Sequence, residues 1–339
     1  MKILVTGSAG FINGYVVAEL LEAGHEVVGI DNYSKYGEVE RSYNKHPRYR
    51  FVRGDCKDVD LLKELASECD QVLASAAMIG GISYFHTHAY ELLAENERIT
   101  AATFDAAIWA FANRRLKKIN VVSSSMVFES TREFPSPEGA ERSSPPPQST
   151  YGFQKLSAEY FAQGAREQFG LPYTIIRPFN CVGVGERRAL SDRVIRGGNV
   201  TLAMSHVVPD LVQKVAKKQD PLHILGDGTQ VRHYTYGGDL ARGTRLCIES
   251  PAAMNEDFNL STPHGHTVLE VAAEIWRRFH PDRPLQTVSD EPFKYDVQLR
   301  VPATEKARRL LGFEATTPLT RILDEVVPWV VHQIELGNI

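Results

Sequence analysis

Tyr151 and Lys155 stand four residues apart in the run Tyr151-Gly152-Phe153-Gln154-Lys155. On a helix this spacing sets both side chains on one face. There an ammonium can lower a phenol from its usual pKa of about 10 toward neutrality, which makes the tyrosine a usable base. A plain surface pair has the same spacing, so the chemistry needs a second site to act with. Gly7-Ser8-Ala9-Gly10-Phe11-Ile12-Asn13 offers one. It lies between a strand-like run and a helix-like run, where a glycine-rich turn lets backbone N–H groups approach a pyrophosphate. A second β-branched run ends in Asp31, 24 residues beyond Gly7, and a carboxylate so placed can accept hydrogen bonds from an adenosine ribose. It would repel a ribose phosphate, so the pattern favours NAD over NADP. The competing reading is an ordinary turn followed by a surface aspartate.

The elements that must position these groups alternate in type. Strand-like runs at Lys2–Thr6, Glu26–Ile30, Tyr49–Val52, Gln71–Ala74, Ile119–Ser123 and Thr174–Arg177 are mostly separated by helical patterns at Phe11–Ala23, Leu61–Cys69, Tyr90–Ala112 and Thr150–Phe169. Such alternation implies an α/β fold with a doubly wound parallel Rossmann sheet. The regularity stops after Arg177, and 180–199 reads as a loop into a smaller α/β C-terminal lobe that binds substrate. The expected division is 1–180 for the cofactor domain and 181–339 for the second lobe, with some chain crossing back to the first sheet. Helices at Val207–Lys217, Gly238–Ile248, Val268–Phe279 and Thr304–Leu311, strands at Leu222–Leu225 and Phe258–Leu260, and an amphipathic helix from about Leu319 to the end make up that remainder.

Composition narrows the partners. A formal net charge of −4 over 339 residues leaves no basic excess for nucleic acid or an anionic membrane surface. Cys56, Cys69, Cys181 and Cys247 form no C-x-x-C or Cys/His cluster, so neither a disulfide framework nor a metal site is expected. The first apolar run breaks at Gly7, too early for a signal segment or a membrane span. A cytoplasmic location is expected.

Taken together, the glycine turn, Asp31 and the Tyr-x-x-x-Lys run resemble the extended short-chain dehydrogenases/reductases, in the branch of NAD-dependent nucleotide-sugar epimerases and dehydratases. The resemblance extends over nearly the whole chain. It implies that Gly7, Gly10, Phe11, Ile12, Asp31 and Asn32 hold NAD, with Asp55 and Cys56 at its adenine. Ala76 in the small-residue run 73–77 would lie beneath the cofactor, Asn96 would support that region, and Tyr151, Lys155 and Pro178 would border the nicotinamide. Asn13 replaces the family's third glycine, which leaves the helix–strand packing in question and offers an amide to a cofactor phosphate.

In Val121–Phe128, counting back from Val127 places the family's catalytic hydroxyl at Ser124, between Ser123 and Ser125. With Tyr151 and Lys155 it would form the catalytic set. Dehydratases of the family carry an acidic pair after this serine, 3,5-epimerising relatives a cysteine and decarboxylating ones a glutamate. Here Ser125 and Met126 follow, and a thioether cannot exchange the required proton. The resemblance therefore implies epimerisation at C4 through a transient 4-keto sugar. The alternatives are a dehydratase, decarboxylase or 3,5-epimerase with an unorthodox acid, and, in another class, a non-catalytic NAD-binding scaffold or sensor. Glu129 replaces a glycine and receives no role.

For the substrate, a UDP-sugar by default, the resemblance implies Asn180, Arg232 and Arg300 at the diphosphate and Ser125 and Met126 at the sugar. His233 stands where an aspartate beside Arg232 is usual, and Asn199 falls either at the base or ribose or at a loop-to-helix junction. Gly80, Gly81, His86 and His88 border the sugar pocket or are exposed polar residues. The long helices Tyr90–Ala112 and Thr150–Phe169 resemble the pair that forms a four-helix bundle between subunits, which implies a homodimer.

Overall fold

The central strands are apolar on both faces, as strands covered by helices above and below must be. Ile3, Leu4, Val5, Val27, Val28, Ile30, Val72, Ile119, Ile175 and Ile176 are all buried. In the computed structural model, which describes residues 1–80, 88–187, 195–202, 206–292 and 297–339, they form a seven-stranded sheet. Its order is Glu256–Leu260, Tyr173–Pro178, Lys118–Val122, Gln71–Ala74, Lys2–Thr6, Glu26–Asp31, Tyr49–Arg53, and every pairing is parallel. The chain order reverses between Lys2–Thr6 and Gln71–Ala74, and the crevice at such a switch point is where doubly wound sheets bind ligands.

The seventh strand comes from the C-terminal half. Glu256–Leu260 pairs with Tyr173–Pro178, and the Gly237–Glu249 helix packs against the Phe11–Glu22 helix, burying Leu240, Ala241 and Cys247 with Val16, Val17 and Leu20. Residues 237–260 therefore complete the first lobe. In the second lobe, the helices Val207–Ala216, Val268–Phe279 and Leu319–Glu335 surround the parallel strands Leu222–Leu225 and Thr287–Asp290. Leu211, Val212, Val271, Ile275, Ile322, Leu323 and Val326 fill that core. The last helix stops at Glu335 rather than running to the chain end.

Two helices shape the floor of the site. Ala89–Asn113 packs along Thr150–Phe169. The latter begins at Ser149, whose hydroxyl accepts the Gly152 N–H, and ends at Gly170 in the left-handed conformation, a stop that a side chain would strain. Among the described residues, no helix is long and apolar enough to cross a membrane, and no group of three or more His, Cys, Asp or Glu side chains could hold a metal ion.

Candidate active site

The C-terminal ends of the central strands open on a cleft of about 650 Å3 that continues into the second lobe. Gly7, Gly10, Phe11, Ile12, Asp31, Asn32, Asp55, Cys56 and Ala76 line its first part. Gly7 has φ +70°, and a Cβ there would sit 2.9 Å from the Ala76 Cα, so the turn admits no side chain. Gly10 caps the Phe11–Glu22 helix without a side-chain hydrogen bond, and the first turn carries no acid. Its N–H groups thus present a site for a phosphate. Asp31 accepts the Tyr33 N–H at 2.7 Å and the Ala9 N–H at 3.1 Å; burial nevertheless holds its carboxyl above the ordinary range. Burial also pushes the Cys56 thiol up to about 12, which leaves it an unreactive apolar wall. A side-chain-free turn, an open helix N-terminus and a carboxylate at the next strand end fit a dinucleotide.

One expectation changes here. The Asn13 amide does not reach toward a phosphate: its Nδ2 donates to the Thr6 carbonyl at 3.2 Å, the Gly7 carbonyl at 2.8 Å and the Ser75 hydroxyl at 2.5 Å. It ties the turn to the neighbouring strand end, and only its acceptor oxygen is left. Asn96 stands behind the cleft wall and does not line it. It is buried and grips the Met78 backbone, accepting the N–H at 2.7 Å and donating to the carbonyl at 2.9 Å. Arg41, invisible to periodicity, donates to the Ala9 and Gly10 carbonyls at 3.4 Å and braces the turn from outside.

At the end of Lys118–Val122 the three serines diverge. Ser123 donates to Glu159 at 2.5 Å. Ser124 hydrogen-bonds the Tyr151 phenol and accepts the Met126 N–H at 3.2 Å. Ser125 is buried in the single turn Ser125–Phe128 and lines the cleft with Met126. Tyr151 and Lys155 share a helix face and the cleft. Lys155 Nζ donates to the Val122 carbonyl at 2.9 Å, and burial pulls its pKa down to about 8, against the pull of Glu159. Burial raises the Tyr151 phenol, while Ser124 and then Arg300 work to lower it. Arg300, from beyond the first lobe, is thus a cation that works on the phenol, and Lys155 is anchored to the strand end one helical turn away.

Glu129 acquires a place in this arrangement. It accepts the Gln148 and Ser149 N–H groups at 3.2 and 3.0 Å and the Ser149 hydroxyl at 2.5 Å. Ser149 caps the helix that carries Tyr151, and a Cβ on Gly152 would meet the Met126 carbonyl at 2.8 Å and Glu129 Oε2 at 2.9 Å. Glu129→Ala is expected to loosen this cap at a cost of about 1 kcal/mol. The check is a thermal melt together with steady-state kinetics, in which kcat falls several-fold and KM stays close to wild type.

Pro178, Asn180, Arg232 and Arg300 line the second part of the cleft. Asn180, at φ +36°, donates to the His233 carbonyl at 3.4 Å and accepts from Arg300 at 3.4 Å. Arg300 also touches the Met126 sulfur at 2.8 Å. Arg232 is braced by the Val231 and Gln298 carbonyls at 2.9 and 3.3 Å. His233 turns away to the Thr262 carbonyl at 2.9 Å, and burial lowers its pKa, so the backbone takes over the bracing that an aspartate would supply.

Asn199 is exposed and off the cleft; its side-chain oxygen accepts from Gln219 at 3.0 Å. His206, paired with buried Glu186 at the start of the Val207–Ala216 helix, occupies the cleft instead, as do Asp210 and Lys214. The last two carried a signal in the sequence, since they interrupt the apolar face of a helix at a spacing of four. Gly80 lines the cleft, and His88 pairs with Glu91 at 2.8 Å. Gly81 and His86 lie outside the described residues.

A dinucleotide turn at the switch point of a parallel sheet, with Ser, Tyr and Lys beside it and two arginines farther along the cleft, defines a dinucleotide-binding α/β fold with an acid–base site. Residues 3–261 match the NAD dependent epimerase/dehydratase family, and the chain belongs to it. It is 27% identical to a UDP-glucose 4-epimerase of Lacticaseibacillus casei, with 97% of this chain and 96% of the relative covered. It is also 27% identical to UDP-glucuronic acid decarboxylase 1 of Arabidopsis thaliana, covering 96% of this chain and 69% of that protein. The solved structure of a UDP-glucose 4-epimerase from Thermotoga maritima with UDP-glucose superposes with a TM-score of 0.80 at 27% identity, over 98% of this chain and all (100%) of that one.

Proposed function

We propose that the protein epimerises a nucleotide-activated sugar at C4, with a UDP-sugar as the favoured substrate. The observation that carries this reading is the Ser124–Tyr151 hydrogen bond at the cleft with Met126 beside it. The pair can take and return one hydroxyl proton, and the thioether offers no acid for elimination. The Gly7–Gly10 turn and Asp31 would hold NAD, which would supply reversible hydride transfer at C4.

Tyr151 takes the C4 hydroxyl proton through its phenol oxygen, with Ser124 holding the same hydroxyl and sharing the transfer. Arg300 favours the phenolate, and Lys155 fixes the strand end against which the pair is aligned. Burial of Tyr151 excludes water during the transfer. Arg232, with its guanidinium fixed by two carbonyls, grips the diphosphate. Met78, Ile79 and Met126 give the sugar end apolar walls, against which a ketone intermediate can turn over without breaking polar contacts. Return of the proton from Tyr151 to O4, together with hydride returned to the opposite face of C4, would then yield the epimer.

The protein acts as a homodimer on this reading, since Phe153, Tyr160 and Phe169 of one long helix and Tyr90 of the other are exposed. Its four free cysteines suit the cytoplasm. The deciding experiment incubates the purified protein with UDP-, dTDP- and GDP-sugars in deuterated water and separates products with mass detection. A new peak of unchanged mass without deuterium supports internal C4 epimerisation. Loss of water or carbon dioxide, or uptake of deuterium, overturns it.

A further inference from the structure

The far end of the cleft is walled by Val208, Leu211, Ile224, Leu225 and Val268, yet two charged side chains stand among them. Lys214 is 1% exposed and Asp210 13%, with Nζ and Oδ2 3.0 Å apart. Lys214 also donates to the His223 carbonyl at 2.9 Å. An ammonium has three donors, so one is left over for the cleft. Asp210 Oδ1 is buried without a hydrogen-bond partner.

A buried ion pair adds little stability over an apolar pair of similar size, and an unsatisfied buried acceptor is costly. The pair is therefore accounted for by a ligand that brings a donor to Asp210 and an acceptor to Lys214. The two residues are one helical turn apart on Val207–Ala216, so they face the ligand side by side. We propose, resting on the nucleotide-sugar reading above, that Asp210 and Lys214 read the nucleotide's base and select a ring N–H beside a carbonyl, the lactam edge shared by uracil, thymine and guanine. The ring N–H donates to Asp210 Oδ1, and the carbonyl accepts from Lys214 Nζ. The apolar walls take the faces of the ring. Cytosine, which has a lone pair on the ring nitrogen beside its carbonyl, sets acceptor against acceptor at Asp210.

Titration calorimetry with UDP, dTDP, GDP and CDP on the NAD-loaded protein tests this. Wild type binds at least one lactam-bearing nucleotide about tenfold or more tighter than CDP, and the three arms identify which base it is. Asp210→Asn turns its carbonyl to Lys214 and its amide to the base, so the acceptor becomes a donor and the ratio to CDP narrows or inverts. The double variant Asp210→Leu, Lys214→Met replaces the pair by apolar residues without stranding a charge, and it loses the discrimination. Retained NAD and an unchanged circular dichroism spectrum report folding of both variants. An unaltered ratio in both variants, or a wild-type preference for CDP, overturns the base assignment and leaves the nucleotide-sugar reading standing. Failure of folded wild type to bind any of the four overturns both.

Discussion

Tyr151→Phe should lower turnover by about 10²–10⁴-fold, the range of a lost general acid–base group, while the protein folds and keeps its cofactor. The ring packs with Leu92 and Met126, and phenylalanine preserves those contacts. What disappears is the hydroxyl that meets Ser124. A pH series separates this from a packing defect. The base acts deprotonated, so kcat rises as pH passes the tyrosine's pKa, which burial holds high and Ser124 and Arg300 moderate. Tyr151→Phe loses that rising limb. Arg300→Met keeps the limb but moves it to higher pH, since one of the groups that lowers the phenol is gone. Turnover of Tyr151→Phe within a few-fold of wild type would remove the acid–base assignment and favour a non-catalytic role for the site.

The largest effect on stability is expected from Arg177→Met. Arg177 is fully buried; it pairs with Glu159 at 2.8 and 2.6 Å, with Asp257 at 2.7 Å and with Glu141 at 3.1 Å. Removing it leaves three carboxylates without their shared cation, a change of about 3–5 kcal/mol, to be read from the urea midpoint at constant m-value. The pH dependence gives the sign. Burial works to raise Asp257, but Arg177 and Lys306 together hold it below the usual range, so its stabilisation is present at neutral pH and fades as pH falls through the folded value. Without Arg177, the burial that already raises Glu141 loses its main opposition and Asp257 keeps only Lys306 to hold it down; the folded state then binds more protons than wild type, and its stability falls relative to wild type as pH rises. The deficit relative to wild type should therefore be smaller near pH 5 than near pH 8. A constant deficit across that window would mean that lost packing, not stranded charge, is the cause.

Glu159 connects this cluster to the site, since it also receives the Ser123 hydroxyl. The strand-end serines are thus aligned partly from beneath, by a buried charge network that no motif contains. Nearby Glu129 does similar service for the helix cap. Both residues are remote in sequence from the atoms they hold in place, which is why neither was legible as part of the site.

The seventh strand shows the same limit at the level of fold. The apolar pattern of Phe258–Leu260 identifies a strand but not its sheet; that depends on the Gly237–Glu249 helix finding the Phe11–Glu22 helix. Asn199 and His206 show it at the level of a side chain. Both lie near the start of a helical pattern, and only the path of the chain places His206 in the cleft and Asn199 outside it.

What the sequence by itself determined is what local stereochemistry controls. Gly7 and Gly10 permit a side-chain-free turn at a helix N-terminus, Ser149 and Gly170 bound the helix Thr150–Phe169, and a spacing of four sets Tyr151 and Lys155 on one face. These depend on backbone geometry within a few residues. The tertiary structure alone decided what each of the three serines meets, that Arg300 reaches the phenol's surroundings from beyond the first lobe, and that Asp210 and Lys214 stand in the cleft. Those outcomes turn on hydrogen bonds and burial among groups brought together from distant strands and from both lobes, and the free energy of such contacts appears only once the backbone has closed around them.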